Sequence, residues 1–284
     1  MKPSKKGCAD LHVHTTFSDG TFSPEEVVRR ALQLDLKAIA ITDHDCIEAI
    51  DYAHKAAEGT TLEVIPGVEL SAAKDETEIH ILGYFIDWKN GSLKELLDKI
   101  KVNRVDRMRK MVECLHKEGI DLDINKVLEH AEKGTVGRGH LAKLMVEEGV
   151  VRDFNDAFDR YIGDGKSCNV KHKRLDYGKA IDIIKKAGGV PVLAHPGTSG
   201  EDVNVKEYAD AGMLGIEVYH SNHGVRCNKK YLELAEKFNM VITGGSDCHG
   251  DKKGRVLLGT VLVDEDVVET LRGEAERVKR DETR

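Results

Sequence analysis

Aromatic residues make up only 5% of this 284-residue chain, and tryptophan occurs once. No apolar run approaches the roughly 20 residues needed to cross a bilayer, which excludes a helical membrane protein. Cationic side chains are outnumbered, 43 to 50, leaving a net charge of -7. That balance excludes a broad nucleic-acid-binding face but leaves room for a local basic pocket in a metal-charged site. No C-x-x-C pair exists among Cys8, Cys46, Cys114, Cys168, Cys227 and Cys248. In a long, highly charged chain these six read as reduced thiols, and the expected location is the cytoplasm. The basic start, Met1 to Gly7, leads into no apolar segment, so it does not read as a secretory signal. The length suits one large domain, or one domain with a smaller insertion.

What is present is a run of short apolar strands alternating with helices. Cys8 to His14 alternates, with Ala9, Leu11 and Val13 on one side and Asp10, His12 and His14 on the other. Ser23-Pro24-Glu25-Glu26 supplies a cap, a first-position proline and acids for the first turn of a helix ending near Leu34. Strands follow at 37–42, 62–70 and 78–85, with a helix at about 46–58. From Ser92 to Gly165 the pattern is helical and charged, which breaks the alternation and predicts an insertion. Strand–helix alternation then resumes through strands at 189–194 and 215–219 and a segment from Val241 to Gly250, with a last strand at 259–263. The tail from Glu265 reads as a charged helix that frays. The predicted organisation is barrel over 1–98 and 169–284, with a helical insertion over 99–168.

Position carries the functional signal. His14, His44, Glu69, His195, His220 and Asp247 each fall at or just past the C-terminal end of a strand, with His80 near a strand start. In parallel β/α barrels the C-terminal strand ends form the face that carries the chemistry. The candidate ligands are His12, His14, Asp19, His44, Glu69, His80, His195, Asp247 and His249. Six imidazoles and three carboxylates suit manganese, iron or zinc, and exceed what one ion needs. Of these, Glu69 is the carboxylate best placed to bridge two ions. His54, His116 and His130 lie on helical stretches and read as ordinary structural or surface residues.

The order of motifs resembles the polymerase-and-histidinol-phosphatase (PHP) family. The matching segments are Asp10-Leu11-His12-Val13-His14-Thr15, Ser18-Asp19-Gly20, Ile41-Thr42-Asp43-His44-Asp45, Pro66-Gly67-Val68-Glu69, Ile79-His80-Ile81-Leu82-Gly83-Tyr84, Ala194-His195-Pro196 and Gly245-Ser246-Asp247-Cys248-His249-Gly250. Gly137-Arg138-Gly139-His140 resembles the Gly-Arg-x-His element of the branch that holds nucleoside bisphosphate phosphatases and short-RNA exonucleases, where proline is usual at the third position.

The resemblance implies an α/β fold, a distorted seven-stranded barrel, and three divalent ions. One ion would take His12, His14, Glu69 and Asp247; a second would share Glu69 and add His80 and His195; a third would use Asp19, His44 and His249. The implied chemistry is phosphoester hydrolysis by a hydroxide shared between two ions. His220 and His223 are the candidate proton donors, with Asp247 as a catalytic ligand. Arg138 and His140, and more weakly Lys143, are candidates for a second, non-reacting phosphate. Lys171 to Arg174, Arg226 and Lys229 read as exposed basic residues. The leading substrate is a nucleoside 3',5'-bisphosphate losing its 3'-phosphate. The alternatives are a cyclic sugar phosphate, short oligonucleotides cut from the 5' end, carbon–nitrogen hydrolysis, or a non-catalytic metal-binding accessory module. Basic residues near the mouth favour phosphate over carbon–nitrogen bonds, and no membrane partner is expected.

Overall fold

The computed structural model describes residues 8–75, 77–131, 134–171, 174–198, 204–251 and 254–283. Its first half runs β1 (Cys8–Val13), α1 (Pro24–Gln33), β2 (Ala38–Ile41), α2 (Ala49–Ala57), β3 (Glu63–Lys74) and β4 (Thr77–Tyr84). Four helices follow: α3 (Gly91–Lys117), α4 (Ile124–Glu129), α5 (Arg138–Glu147) and α6 (Phe154–Ala157), the last continuing into a π-helical turn, Phe158–Ile162. The second half comprises β5 (Leu175–Asp176), α7 (Tyr177–Lys186), β6 (Val190–Leu193), α8 (Val205–Asp210), β7 (Gly215–His220), α9 (Val225–Lys237), β8 (Val241–Gly245), β9 (Val263–Asp264) and α10 (Glu265–Glu282). Helix α1 starts as its sequence predicts, with the Ser23 hydroxyl accepting from the Glu26 amide at 3.3 Å.

The strands order as β8-β7-β6-β4-β3-β2-β1-β9, with β5 beside β3. The segment after β8 comes back to β1: His14 N donates to Cys248 O at 2.9 Å, and Cys248 N to His12 O at 3.3 Å. Seven strands therefore form the staves of a nearly closed α/β barrel, and β5 and β9 are two-residue additions. Glycine is required where β8 meets β1, because a Cβ on Gly245 would sit 2.4 Å from His12 N.

One stave departs from parallel order. Strand β4 is antiparallel to both β3 and β6, with Ser71 opposite His80 and Leu82 opposite Val192. Reversal puts the start of β4 at the same mouth as the ends of its neighbours. That is why His80, near a strand start, joins residues from strand ends.

Two sequence expectations are corrected at the C-terminal end. The strand expected at 259–263 shrinks to Val263–Asp264, because Gly259 adopts φ +74° and donates its amide to Asp10 Oδ2 at 2.8 Å. Helix α10 does not fray over its described length: Val268, Leu271 and Ala275 are buried with Leu11, Ile65, Leu82 and Val192 of the barrel. These positions recur at helical spacing, so the tail docks by an apolar stripe hidden among its charges.

Helix α3 leaves the barrel for the insertion. Leu93 and Leu97 pack in a barrel cluster, whereas Met108, Met111, Val112 and Leu115 pack with Leu141, Met145, Ala157 and Ile162 in a separate core. Within that core Cys114 and Cys168 form a disulfide across 54 positions. The expectation of uniformly reduced thiols is corrected here; only the packing of α3 against the returning chain brings this pair together. No helix among the described residues is long and apolar enough to cross a membrane.

Candidate active site

At the mouth of the barrel nine predicted ligands converge. His12 and His14 leave the end of β1 on one face, both fully buried, with their Nε2 atoms 3.1 Å apart. Glu69 Oε2 from β3 lies 3.3 Å from the first and 3.2 Å from the second. Asp247 Oδ1, beyond β8, lies 3.4 Å and 3.1 Å from the same two nitrogens. Each carboxylate oxygen thus approaches both imidazole nitrogens at spacings like the roughly 3.3–3.4 Å between donors on one ion with bonds of about 2.0–2.1 Å.

Glu69 faces two ways. Its other oxygen, Oε1, is 2.9 Å from His80 Nδ1 and 2.9 Å from His195 Nε2. His44 Nδ1 approaches Oε2 at 3.1 Å. On the far side of His44, Asp19 Oδ1 is 3.1 Å from His249 Nε2 and 4.0 Å from His44 Nε2. His195 (φ +25°) and Asp247 (φ +54°) sit in left-handed backbone, a cost tolerated where a side chain must be aimed.

The charges fit cations as well as the distances do. Burial opposes ionisation of Glu69, yet His44, His80 and His12 around it hold its carboxyl well below the usual range. Burial likewise lowers the imidazoles, but the Asp247 and Glu69 carboxylates bring His14 up to about 9, and Glu69 with Glu78 brings His80 up to about 10. Burial, with the neighbouring His14 and His80, instead pushes His44 well below the usual imidazole range. Divalent ions at these donors would displace the protons on His14 and His80.

Behind the donors stand carboxylates to which the sequence reading gave no role. Glu217, fully buried in β7, accepts from His12 Nδ1 at 3.0 Å and from His195 N at 2.8 Å. It fixes the His12 tautomer so that Nε2 keeps its lone pair for the site. The available signal was a lone carboxylate inside the apolar run Gly215-Ile216-Glu217-Val218-Tyr219. Asp43 accepts from Thr15 N and Oγ1, each at 2.7 Å, and from Ser18 Oγ at 2.5 Å, which folds the loop bearing Asp19. Asp10 takes the Ser246 amide at 2.8 Å and the Gly259 amide at 2.8 Å, holding the Asp247 loop against β1.

A cavity of about 730 Å³ opens over Asp19, His44, His80, Asp247 and His249. The insertion supplies one side through Arg104, Arg107, Arg138, Phe154 and Phe158. It is pinned to the barrel: Thr135 Oγ1 donates to His44 O at 2.7 Å, and Arg104 pairs with Asp45 and donates to Ser71 Oγ at 2.9 Å. Arg138 is held by Asp164 Oδ1 at 2.8 Å and Ile162 O of the π turn at 3.4 Å. Arg107 donates to two neutral acceptors, Val170 O at 2.8 Å and Asn169 Oδ1 at 3.0 Å. Burial and the neighbouring cations Arg138 and Arg104 lower its guanidinium to about 10. Such a cluster favours an anion in the cavity.

Other predicted residues sit elsewhere. His140 is buried and accepts from Gly137 N at 3.0 Å, capping α5; neither it nor Lys143, which is exposed and 3.8 Å from Glu147, lines the cavity. His220 Nδ1 accepts from Asn222 N at 3.1 Å, which leaves Nε2–H to donate to Asp247 Oδ2 at 3.2 Å. His223 spends both ring nitrogens on backbone, at Val218 O (2.8 Å) and Gly197 N (3.1 Å). Neither histidine lines the cavity. Of the basic segment 171–174, His172 and Lys173 lie outside the described residues.

The barrel and its buried ligand cluster define a metal-dependent phosphoric ester hydrolase. Residues 10–163 match the PHP domain, and the chain belongs to that family. It is 35% identical over 247 residues to the 5'-3' exoribonuclease Rnm of Salmonella typhimurium, covering 84% of each chain. It is 31% identical to the 3',5'-nucleoside bisphosphate phosphatase of Chromobacterium violaceum (86% of this chain, 88% of that one). It is also 31% identical to the phosphoribosyl 1,2-cyclic phosphate 1,2-diphosphodiesterase of Eggerthella lenta (87% and 95%). A solved structure from Bifidobacterium adolescentis, assigned as a metal-dependent phosphoesterase, superposes with a TM-score of 0.87 at 30% identity, covering 95% of this chain and 96% of that one.

Proposed function

We propose that the protein removes the 3'-phosphate from nucleoside 3',5'-bisphosphates. The observation that carries this reading is that Arg138 and five of the candidate ligands, Asp19, His44, His80, Asp247 and His249, border one cavity. Two phosphoryl groups on one small substrate then have two receptors. Arg138, backed by Arg107, grips the non-reacting 5'-phosphate, and the substrate's 3'-phosphoryl group lies over the donors.

In this reading His12, His14, Glu69 and Asp247 would hold one divalent ion, Glu69, His80 and His195 a second, and Asp19, His44 and His249 a third. Such ions, when bound, polarise phosphoryl oxygens and make a hydroxide nucleophile available at neutral pH. The chain's own part is placement. Glu217 holds His12 and the His195 backbone; His220 holds Asp247 by its outer oxygen; Arg138 fixes the far end of the substrate, so that the reacting phosphorus meets its nucleophile in line. His220 and His223 act as positioning residues for Asp247 and for the loop after β6, rather than as proton donors. The same grip suits a diester after the first nucleotide, and similarity to an exoribonuclease favours trimming of 5'-phosphorylated oligonucleotides as a second reading.

The test is phosphate or nucleotide release by manganese-loaded protein from four substrates: adenosine 3',5'-bisphosphate, adenosine 3'-monophosphate, phosphoribosyl 1,2-cyclic phosphate and a 5'-phosphorylated trinucleotide. The bisphosphate is expected to show the highest kcat/KM. Arg138→Ala should cut it by about ten- to a hundredfold, the worth of a charged hydrogen bond, with little effect on the monophosphate. Lys143→Ala should leave both rates unchanged. A wild-type preference for the cyclic ester, or an Arg138→Ala variant with full selectivity, contradicts the proposal.

A further inference from the structure

The cavity is not polar throughout. Phe154 and Phe158, four residues apart on α6 and the π turn that follows it, are only partly buried, and both line the cavity. Their ring centroids are 5.2 Å apart at 32°, and the Arg138 guanidinium lies 5.6 Å from the Phe158 centroid. Gly139 locates the pair relative to the ligands: a Cβ built on it would lie 3.5 Å from Phe154 Cζ and 3.7 Å from Asp19 Oδ2. The aromatic pair thus sits next to the phosphate-binding arginine at one end and close to a metal-ligand carboxylate at the other. Leu257 and Val261, after β8, add further apolar lining.

Both rings pack on one side against the insertion core, and on the cavity side they offer phosphoryl groups no partner. An aromatic base gives them a partner, since base–aromatic stacking contributes about 1–3 kcal/mol per base and tolerates any base. A π-helical turn inside a helix often marks a functional position. Here the turn carries Phe158 and also presents the Ile162 carbonyl to Arg138, so one distortion sets both the ring and the guanidinium.

We infer that Phe154 and Phe158 form a nucleobase platform, by which this enzyme selects nucleotides over phosphorylated sugars lacking a base. The inference rests on Arg138 as anchor of the non-reacting phosphate and adds the group that reads the rest of the substrate. It separates the bisphosphate reading from a phosphoribosyl one, because both substrates carry two phosphoryl groups and only one carries a base.

Binding, rather than turnover, tests it. Calorimetry on the manganese-loaded full chain compares adenosine 5'-monophosphate with ribose 5-phosphate. Wild type should bind the nucleotide at least about fivefold more tightly, the low end of one stacking contact. In the Phe154→Leu/Phe158→Leu double variant, which keeps apolar bulk in the insertion core, that ratio should fall towards one. Phe158→Tyr, which keeps a ring, should retain it, and this separates stacking from misfolding. Equal affinities in wild type, or no measurable nucleotide binding, overturn the inference. A base preference that persists while Arg138→Ala leaves both affinities unchanged would instead overturn the anchor and spare the platform.

Discussion

Glu217 and His12 meet at 3.0 Å with no solvent on either side chain, and the second oxygen of Glu217 holds the His195 amide at 2.8 Å. One carboxylate therefore orients the imidazole of one candidate ligand and the backbone of a second. It ties β1 to β6 and β7 beneath the site.

Replacing it tests how much that orientation matters. In Glu217→Gln the amide oxygen can still accept from one partner, while the amide nitrogen cannot accept from the other. Metal affinity should drop by about 10–100-fold, as for other groups that orient ligands. Chelator competition measures this, and unchanged affinity would remove Glu217 from the role.

The disulfide makes a separate prediction. Cys114–Cys168 closes a loop across 54 positions, and a crosslink of this kind stabilises by about 2–4 kcal/mol. Cys114→Ser should lower the melting temperature, and reductant should bring wild type down to the variant without affecting the variant further. A wild-type melt indifferent to reductant contradicts the bond.

Asp10 predicts a pH dependence. Burial outweighs its hydrogen bonds to Ser246, Gly259 and His12, and raises it from 3.8 to about 6. The folded chain therefore holds this proton more tightly than the unfolded one. Its contribution to stability is greatest below about pH 4 and declines as pH rises through 6, by up to about 3 kcal/mol. Asp10→Asn lacks this dependence. The stability of wild type minus that of Asp10→Asn should fall between pH 4 and 6.5, and a flat difference would contradict the assignment.

The candidate ligands at the strand ends were legible in the sequence because their chemistry shows in residue type and their convergence follows from strand polarity. His80 was legible as a residue but not as geometry, since only the reversal of β4 explains its place. Glu217 hid as a single charge in an apolar strand. Arg107 lies on α3, where charges recur so often that a cavity-facing guanidinium looks like a solvated one. Lys143 shows the converse: five residues beyond Arg138, it sits about 140° around the helix, so sharing a helix did not mean sharing a face. The disulfide depends on packing inside the insertion, which no local spacing encodes; Phe154 and Phe158 stand at i,i+4 spacing, yet only that packing turns them towards the cavity.

The most direct test of the account is metal content. Glu69 reaches His12 and His14 with one oxygen and His80 and His195 with the other, so two ions should depend on it. Elemental analysis after manganese loading and desalting should give three ions per wild-type chain, two for His249→Ala, and one for Glu69→Gln. Loss of a single ion in Glu69→Gln, or none, would contradict a shared carboxylate at the centre of the site.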